Sequence, residues 1–180
     1  AQGRVRSIDS DFNEKRRHDL VTCGSRGFGQ SMDILKFGTS GLRGPSAILD
    51  GRPAVTYARA FARAMITKDC LVPSGDVLVG RDLRASSPSI SRYCFTGLRL
   101  AGVNPIDCGA LPTPALAHRA MVLGVPAIMV TGSHIPGDRN GLKFYRPDGE
   151  IDKEDEAAIA AAEADPPVEL TLERTAAAKT

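Results

Sequence analysis

The sequence predicts a three-layer α/β/α domain with a mixed, mostly parallel β-sheet. Short apolar runs alternate with longer segments in which apolar side chains recur every three or four residues, the pattern of strands and amphipathic helices. The last two predicted strands follow each other without an intervening helix, so part of the sheet is expected to be antiparallel. The length of 180 residues suits one domain with a proper core.

The predicted elements run in the order strand, helix, strand, helix, strand, helix, strand, strand, helix. Strands are expected at 34–37, 77–79, 103–107, 127–130 and 142–145, and helices at 52–68, 86–101, 113–123 and 152–164. Ser86 or Ser87, Thr113 and Asp152 are the expected N-caps, because their side chains accept hydrogen bonds from free backbone N–H groups. Gly102 and Gly124 are expected to end two of the helices.

The chain divides into three predicted parts. Residues 1–33 are polar and weakly patterned, and we expect a flexible N-terminal extension or leader. Residues 34–165 form the predicted domain. Residues 166–180 begin with two prolines that end the last helix, and they are expected to be a tail or a linker to missing domains.

Composition excludes several classes of function. The net charge of +2 and the absence of Trp argue against a nucleic-acid partner. No apolar segment approaches the length of a membrane span, and the N-terminus has no signal-peptide pattern, so neither a membrane partner nor secretion is expected. The four widely spaced cysteines favour reduced thiols in a cytoplasmic protein: Cys23, Cys70, Cys94 and Cys108.

The chemistry is expected to centre on Ser133. It follows the buried strand 127–130 on a loop that Gly132 and Pro136 force into an irregular path. His134 is adjacent, and Lys143 lies ten positions later on the next predicted strand. A serine in this setting suits a nucleophile, although the same composition also occurs in ordinary turns.

A second loop predicts anion binding. Gly38-Thr39-Ser40-Gly41 follows the first strand and offers backbone N–H groups and hydroxyls, and Arg43 adds a planar guanidinium suited to a phosphoryl group. The alternative is a surface hairpin with a solvated arginine. Arg81 and Asp82 follow another strand, where they either contact a ligand or form an ion pair that supports the turn.

The two loops together resemble the first domain of the α-D-phosphohexomutases, which include phosphomannomutase, phosphoglucomutase and phosphoglucosamine mutase. The resemblance rests on Phe-Gly-Thr-Ser-Gly-Leu-Arg-Gly at 37–44 and Thr-Gly-Ser-His-Ile-Pro…Asn-Gly-Leu-Lys at 131–143. Residues 79–86, Val-Gly-Arg-Asp-Leu-Arg-Ala-Ser, also look like a family segment. The resemblance to the family covers about residues 34–165, and it is strongest toward bacterial phosphomannomutase-like members. It implies interconversion of hexose 6-phosphate and hexose 1-phosphate (mannose or glucose), with hexose 1,6-bisphosphate as intermediate and activator.

The resemblance also implies roles for individual residues. Ser133 aligns with the serine that carries the phosphoryl group, and its phosphate is expected to be a ligand of Mg²⁺. Lys143 and Arg43 match basic residues beside that serine, and His134 matches the histidine that follows it. Phosphate binding is implied for four residues: Thr39, Ser40, Arg43 and Asn140.

Two departures from the family pattern stand out. Ile135 occupies a position where the family usually has Asn. Nothing in the sequence resembles the family's aspartate-rich metal loop, sugar loop or C-terminal phosphate loop. The chain is therefore expected to be inactive alone, with the remaining mutase domains and a phosphosugar as partners and the main Mg²⁺ ligands elsewhere.

Two other classes of function stay open from the sequence. The first is a non-catalytic phosphate-binding or interaction module that keeps the fold. The second is a serine hydrolase, which is disfavoured because the residues around Ser133 do not form a Gly-x-Ser-x-Gly elbow.

Overall fold

The computed structural model describes residues 35–38 and 41–162, and all structural statements below concern these residues. The strands are β1 Lys36–Gly38, β2 Gly41–Pro45, β3 Asp76–Arg81, β4 Asn104–Ala110, β5 Ala127–Val130, β6 Arg139–Arg146 and β7 Gly149–Glu150. The helices are α1 Ser46–Leu49, α2 Arg52–Thr67, α3 Ser87–Leu100, α4 Thr113–Leu123 and α5 Lys153–Ala162. The predicted extension 1–33 and tail 166–180 lie outside this range.

All seven described strands form one mixed sheet. Its order is β1-β2-β6-β5-β3-β4, and β7 pairs with β6. Strand β3 is parallel to β4 and β5, whereas the β1–β2, β2–β6, β5–β6 and β6–β7 pairs are antiparallel. The predicted mixed sheet is confirmed, but the expectation that it is mostly parallel was wrong. Strands joined by short connections fold back on each other, because parallel neighbours need a longer crossover.

Helices cover both faces of the sheet, which confirms the three-layer prediction. On one face, α2 packs against α3, and Phe61 of α2 lies 5.0 Å from Phe144 of β6 between ring centroids. On the other face, α4 packs on β3, β5 and β6. Its apolar contacts with the sheet form one buried cluster: Leu78, Leu116, Ala120, Ala127, Met129 and Tyr145.

Most predicted elements are present, with shifted boundaries. Strand 127–130 coincides with β5, whereas α1 and β2 were not expected. Asp152 caps α5 as predicted, because its Oδ1 accepts a hydrogen bond of 2.8 Å from the Asp155 N–H. Thr113 is not the cap of α4, since the helix already includes it and Pro112 precedes it. Ser86 stands at the start of α3, but its side chain makes no capping hydrogen bond.

The described cysteines are free thiols. Cys94 is completely buried, and burial raises its pKa to about 12. Cys70 and Cys108 are half-buried, and Cys23 lies outside the described residues. Among the described helices, none combines the length and apolar character needed to cross a membrane.

A buried carboxylate fastens α5 to the rest of the domain. Asp155 is fully buried and accepts hydrogen bonds from Lys68 Nζ at 2.7 Å, Arg146 Nη1 at 3.4 Å and the Asp152 N–H at 3.0 Å. The hydrogen bond that Lys68 donates to Asp155 is the largest of the effects that raise the pKa of Lys68. These contacts join the ends of α2 and β6 to the first turn of α5.

Asp155→Asn should destabilise the fold by about 2–3 kcal/mol, because two cations lose the carboxylate that they share. Urea unfolding at neutral pH measures the change. Glu154→Gln is the matched control, since the Glu154 side chain is 84% exposed and lies 3.8 Å from the same lysine. Equal stability of the two variants would show that the Asp155 contacts contribute nothing.

Candidate active site

Ser133 lies on the loop 131–138, which joins β5 to β6. Its side chain is exposed, and its backbone has φ of 52°, in the left-handed region that non-glycine residues seldom occupy. The Ser133 N–H donates to Thr131 Oγ1 at 3.0 Å, and the Thr131 hydroxyl donates to Asp82 Oδ2 at 3.0 Å. Such a backbone conformation persists only where neighbouring groups hold it.

Arg84 supplies four hydrogen bonds that hold the loop, more than any other side chain among the described residues. Its Nη1 donates to the carbonyls of Pro136 and Arg139 at 2.7 and 3.3 Å. Its Nη2 donates to the carbonyls of Ser133 and Ile135 at 3.1 and 2.7 Å. The remaining donor, Nε, lies 3.3 Å from Asp82 Oδ2. One side chain from the β3–α3 connection therefore binds three carbonyls of the loop and the carbonyl of Arg139 at the start of β6.

Gly132 is required by its contact with Arg84. A Cβ atom at Gly132 would lie 2.4 Å from Cζ of the Arg84 guanidinium, far inside contact distance. The Gly132 N–H also donates to Asp82 Oδ2 at 3.2 Å. The sequence pattern attributed this glycine to an irregular turn, whereas the structure shows that it makes room for the arginine.

Asp82 is the shared acceptor of the hydrogen bonds that hold the Ser133 loop. Beyond Thr131 and Gly132, its Oδ1 accepts hydrogen bonds from Ser87 Oγ at 2.5 Å and from the Arg84 N–H at 3.0 Å. Partial burial alone would raise the pKa of Asp82, but these four hydrogen bonds outweigh it and bring the pKa below its ordinary value of 3.8. Asp82 does form an ion pair that supports the turn, but its partner is Arg84 and not the predicted Arg81.

Ser133 and Lys143 line one cavity of about 480 Å³. The Lys143 amine lies 3.4 Å from Glu150 Oε1, and the lysine side chain is 20% exposed. Helix α4 forms the opposite wall. The lining residues are Thr113, Pro114, Ala117, Met121, Thr131, Ser133, Lys143, Tyr145, Gly149 and Glu150. The predicted nearness of the serine and the lysine is therefore what the structure shows.

Arg43 lies on the same face of the sheet as Lys143. Arg43 pairs with Gly141 in the β2–β6 register, and Lys143 follows Gly141 by two residues, so all three share one face. A Cβ at Gly141 would lie 2.6 Å from the Leu42 carbonyl oxygen and 3.0 Å from that of Thr131, so glycine is needed for the close approach of the backbones. This register places a second cation on the side of the cavity, while its role in binding phosphate stays a prediction.

His134 lies beside the serine, as predicted. Its Nδ1 is 3.3 Å from Ser133 Oγ, and its ring is exposed. An imidazole here exchanges a hydrogen bond with the hydroxyl in a direction that depends on the tautomer.

Asn140 does not fit its predicted part in phosphate binding. Its side chain is fully buried, and its amide donates to Ser86 Oγ and Ser87 Oγ at 2.9 Å each. Its Oδ1 accepts from the Gly141 N–H at 2.9 Å. Asn140 therefore connects β6 to the start of α3. The other predicted phosphate-binding residues, Thr39 and Ser40, lie outside the described residues.

The described residues do not supply a complete Mg²⁺ site. No group of three or more His, Cys, Asp or Glu side chains within the described ranges is arranged to hold a metal ion. The acidic side chain that lines the cavity is Glu150, which is paired with Lys143. Hard cations take several oxygen ligands, so the donors described here would provide only part of a set.

The fold and the site define an α/β/α domain that presents a fixed serine loop at the edge of a mixed sheet. Residues 35–165 match the family model described as "Phosphoglucomutase/phosphomannomutase, alpha/beta/alpha domain I". The chain belongs to the phosphoglucomutase/phosphomannomutase family. This match confirms the resemblance and the fold class that the sequence motifs predicted.

Curated relatives include two phosphomannomutases and a phosphoglucosamine mutase. The phosphomannomutase of Sinorhizobium fredii is 55% identical over 70% of this chain and 27% of its own length. That of Salmonella muenchen is 46% identical over 69% of the chain and 26% of its length. The phosphoglucosamine mutase of Hyphomonas neptunium is 34% identical over 78% and 33%. The chain thus spans about a quarter to a third of these relatives.

A solved structure of a phosphoglucomutase/phosphomannomutase family protein from Burkholderia thailandensis has the same fold. It superimposes with a TM-score of 0.61 and 29% identity, over 76% of this chain and 30% of that one. A putative phosphomannomutase from Thermus thermophilus gives a TM-score of 0.60 with 28% identity, over 72% and 30%.

The Asp82 network should respond to pH. Because hydrogen bonding lowers the pKa of Asp82 in the folded state, its stabilising effect is present above about pH 4 and is lost as pH falls through the folded pKa. At pH 7, Asp82→Asn should cost about 1–2 kcal/mol, a modest value because the carboxylate is only partly buried. Urea unfolding from pH 3 to pH 7, at roughly half-unit intervals, gives the free energy of unfolding of wild type and variant. The difference between the two should shrink as the pH falls. A difference that stays the same at every pH would contradict this assignment.

Proposed function

We propose that this chain is the phosphoserine-bearing first domain of a phosphohexomutase, which interconverts hexose 6-phosphate and hexose 1-phosphate of mannose or glucose through a bisphosphate intermediate. The observation that carries the proposal is the exposed Ser133 hydroxyl, presented on a fixed loop in a cavity that it shares with Lys143. The names of the phosphomannomutase relatives support this reaction class.

In the proposed reaction, phosphorylated Ser133 donates its phosphoryl group to a hydroxyl of the hexose monophosphate. The new bond joins phosphorus to the sugar oxygen, the bond from phosphorus to Ser133 Oγ breaks, and the sugar's hydroxyl proton is lost while Oγ takes up a proton. The reverse transfer from the other phosphate of the bisphosphate restores the phosphoserine and releases the isomeric monophosphate. The distance of 3.3 Å between His134 Nδ1 and Ser133 Oγ supports a role for the imidazole in donating that proton to Oγ.

Charge neutralisation is the main task of the surrounding residues. A phosphoserine carries nearly two negative charges at neutral pH and repels a phosphosugar. Lys143 borders the same cavity and Arg43 lies on the same sheet face, and these positions support a role for both cations in offsetting this charge. Glu150 holds the Lys143 amine at 3.4 Å, and we expect the phosphate to compete with this carboxylate.

The proposed mutase needs partners beyond this chain. A Mg²⁺ ion would supply further charge stabilisation on a phosphate oxygen. The Ser133 phosphate would give it one ligand, and the main ligands would come from another domain. The sugar would also be recognised elsewhere, so we expect no mutase turnover from residues 1–180 alone. The free thiols of the described residues fit a cytoplasmic location.

Ser133→Ala should abolish mutase turnover and phosphorylation at residue 133 in the complete mutase that contains this domain, because no other group then carries the phosphoryl group. A coupled assay for hexose 6-phosphate formation and mass spectrometry of the loop peptide measure both effects. Ser74→Ala is the matched control, since Ser74 is also an exposed serine with positive φ, of 60°. Near-normal turnover of the Ser133 variant, or equal loss in the control, would overturn the proposal.

A further inference from the structure

The Ser133 loop has few hydrogen bonds of its own. Within 132–139, the backbone supplies two turn hydrogen bonds, from Ile135 N–H to Gly132 O and from Arg139 N–H to Pro136 O, both 3.1 Å. Arg84 donates four further hydrogen bonds to carbonyls of this segment. The Asp138 carbonyl accepts two more, from the backbone N–H and the hydroxyl of Ser46. The guanidinium thus supplies hydrogen-bond donors to these backbone carbonyls, as a neighbouring strand does in a β-sheet.

The geometry requires arginine and not merely a positive charge. The four carbonyl contacts and the contact with Asp82 use donors on all three nitrogens of the planar guanidinium. A lysine amine has three donors at one point and cannot span carbonyls along this loop. Gly132 leaves the space into which the planar group fits.

The positive charge of Arg84 is already balanced. Asp82 Oδ2 lies 3.3 Å from its Nε, and this carboxylate belongs to the same network. Lys143, by contrast, faces the cavity and is paired there with an exposed carboxylate. The two cations therefore have different surroundings: Lys143 borders the cavity, whereas Arg84 is paired within the network that holds the loop.

We propose that Arg84 is a positioning residue for phosphoryl transfer, which holds Ser133 in its left-handed conformation and keeps its oxygen beside Lys143. This inference rests on the proposed function of Ser133. Arg84 does not touch the phosphoryl group, and it acts through the loop carbonyls and Asp82.

The test uses the full 180-residue chain with phosphoserine incorporated at position 133 during translation. Phosphorus NMR measures the second pKa of this phosphoserine, which is about 6 for an exposed group and lower beside a cation. Arg84→Lys keeps the charge but loses the planar donors, so the phosphoserine pKa should rise toward the exposed value. Hydrogen exchange of the Ile135 and Arg139 amides should become at least about tenfold faster, because the loop opens more often.

A double-mutant cycle separates positioning from a general effect. Lys143→Met should also raise the phosphoserine pKa, and adding Arg84→Lys to it should raise the pKa little further, because the loop then has no cation to approach. Arg119→Lys on the exposed face of α4 is the matched control and should change neither readout. Unchanged exchange and pKa in Arg84→Lys, or effects of the two substitutions that simply add, would overturn the positioning role.

The outcomes for the inference and the proposed function are distinguishable. A wild-type phosphoserine pKa near 6, unaffected by Lys143→Met, would count against the cationic cavity of the proposed mutase. In that case, faster exchange in Arg84→Lys would still show that Arg84 anchors the loop. The pKa result would nevertheless contradict its positioning role in phosphoryl transfer.

Discussion

The site depends on the hydrogen bonds that the Arg84 guanidinium donates to three carbonyls of the Ser133 loop and to that of Arg139 at the start of β6. The loop leaves the sheet after β5 and has no strand partner until β6, so its carbonyls need donors from elsewhere. Asp82 completes the arrangement by accepting from Thr131, Gly132, Ser87 and the Arg84 backbone. These contacts hold Ser133 in its left-handed conformation, the fixed placement that the proposed phosphoryl transfer requires.

The sheet brings the remaining parts together. Strand β6 lies between β2 and β5, so Lys143 of β6 shares one face with Arg43 of β2 and lies next to the end of β5, where the serine loop begins. The face opposite the cavity carries the packing of α2 and α3, and α4 closes the cavity from the near side. Antiparallel pairing of β2, β5 and β6 is therefore what lets two distant motifs meet.

The sequence was sufficient to predict the α/β/α layers, strand β5, the cap of α5 and the family, because these follow from local periodicity and from motifs of fixed spacing. It did not predict the mostly antiparallel pairing, since strand neighbours depend on contacts between distant segments. Arg84 was visible within the segment 79–86, but its acceptors lie about fifty positions away, and their carbonyls carry no residue-specific signal. The burial of Asn140 was missed for the same reason, because its partners Ser86 and Ser87 are equally distant in sequence.

The central claim is that a fixed loop places a phosphate on Ser133 beside Lys143. A crystal structure of the chain with phosphoserine at position 133 tests this most directly. The account predicts that the Lys143 amine contacts a phosphate oxygen and that Arg84 keeps its four carbonyl hydrogen bonds. A phosphate that turns away from Lys143 into solvent, or a guanidinium that leaves the carbonyls to bind the phosphate itself, would contradict it.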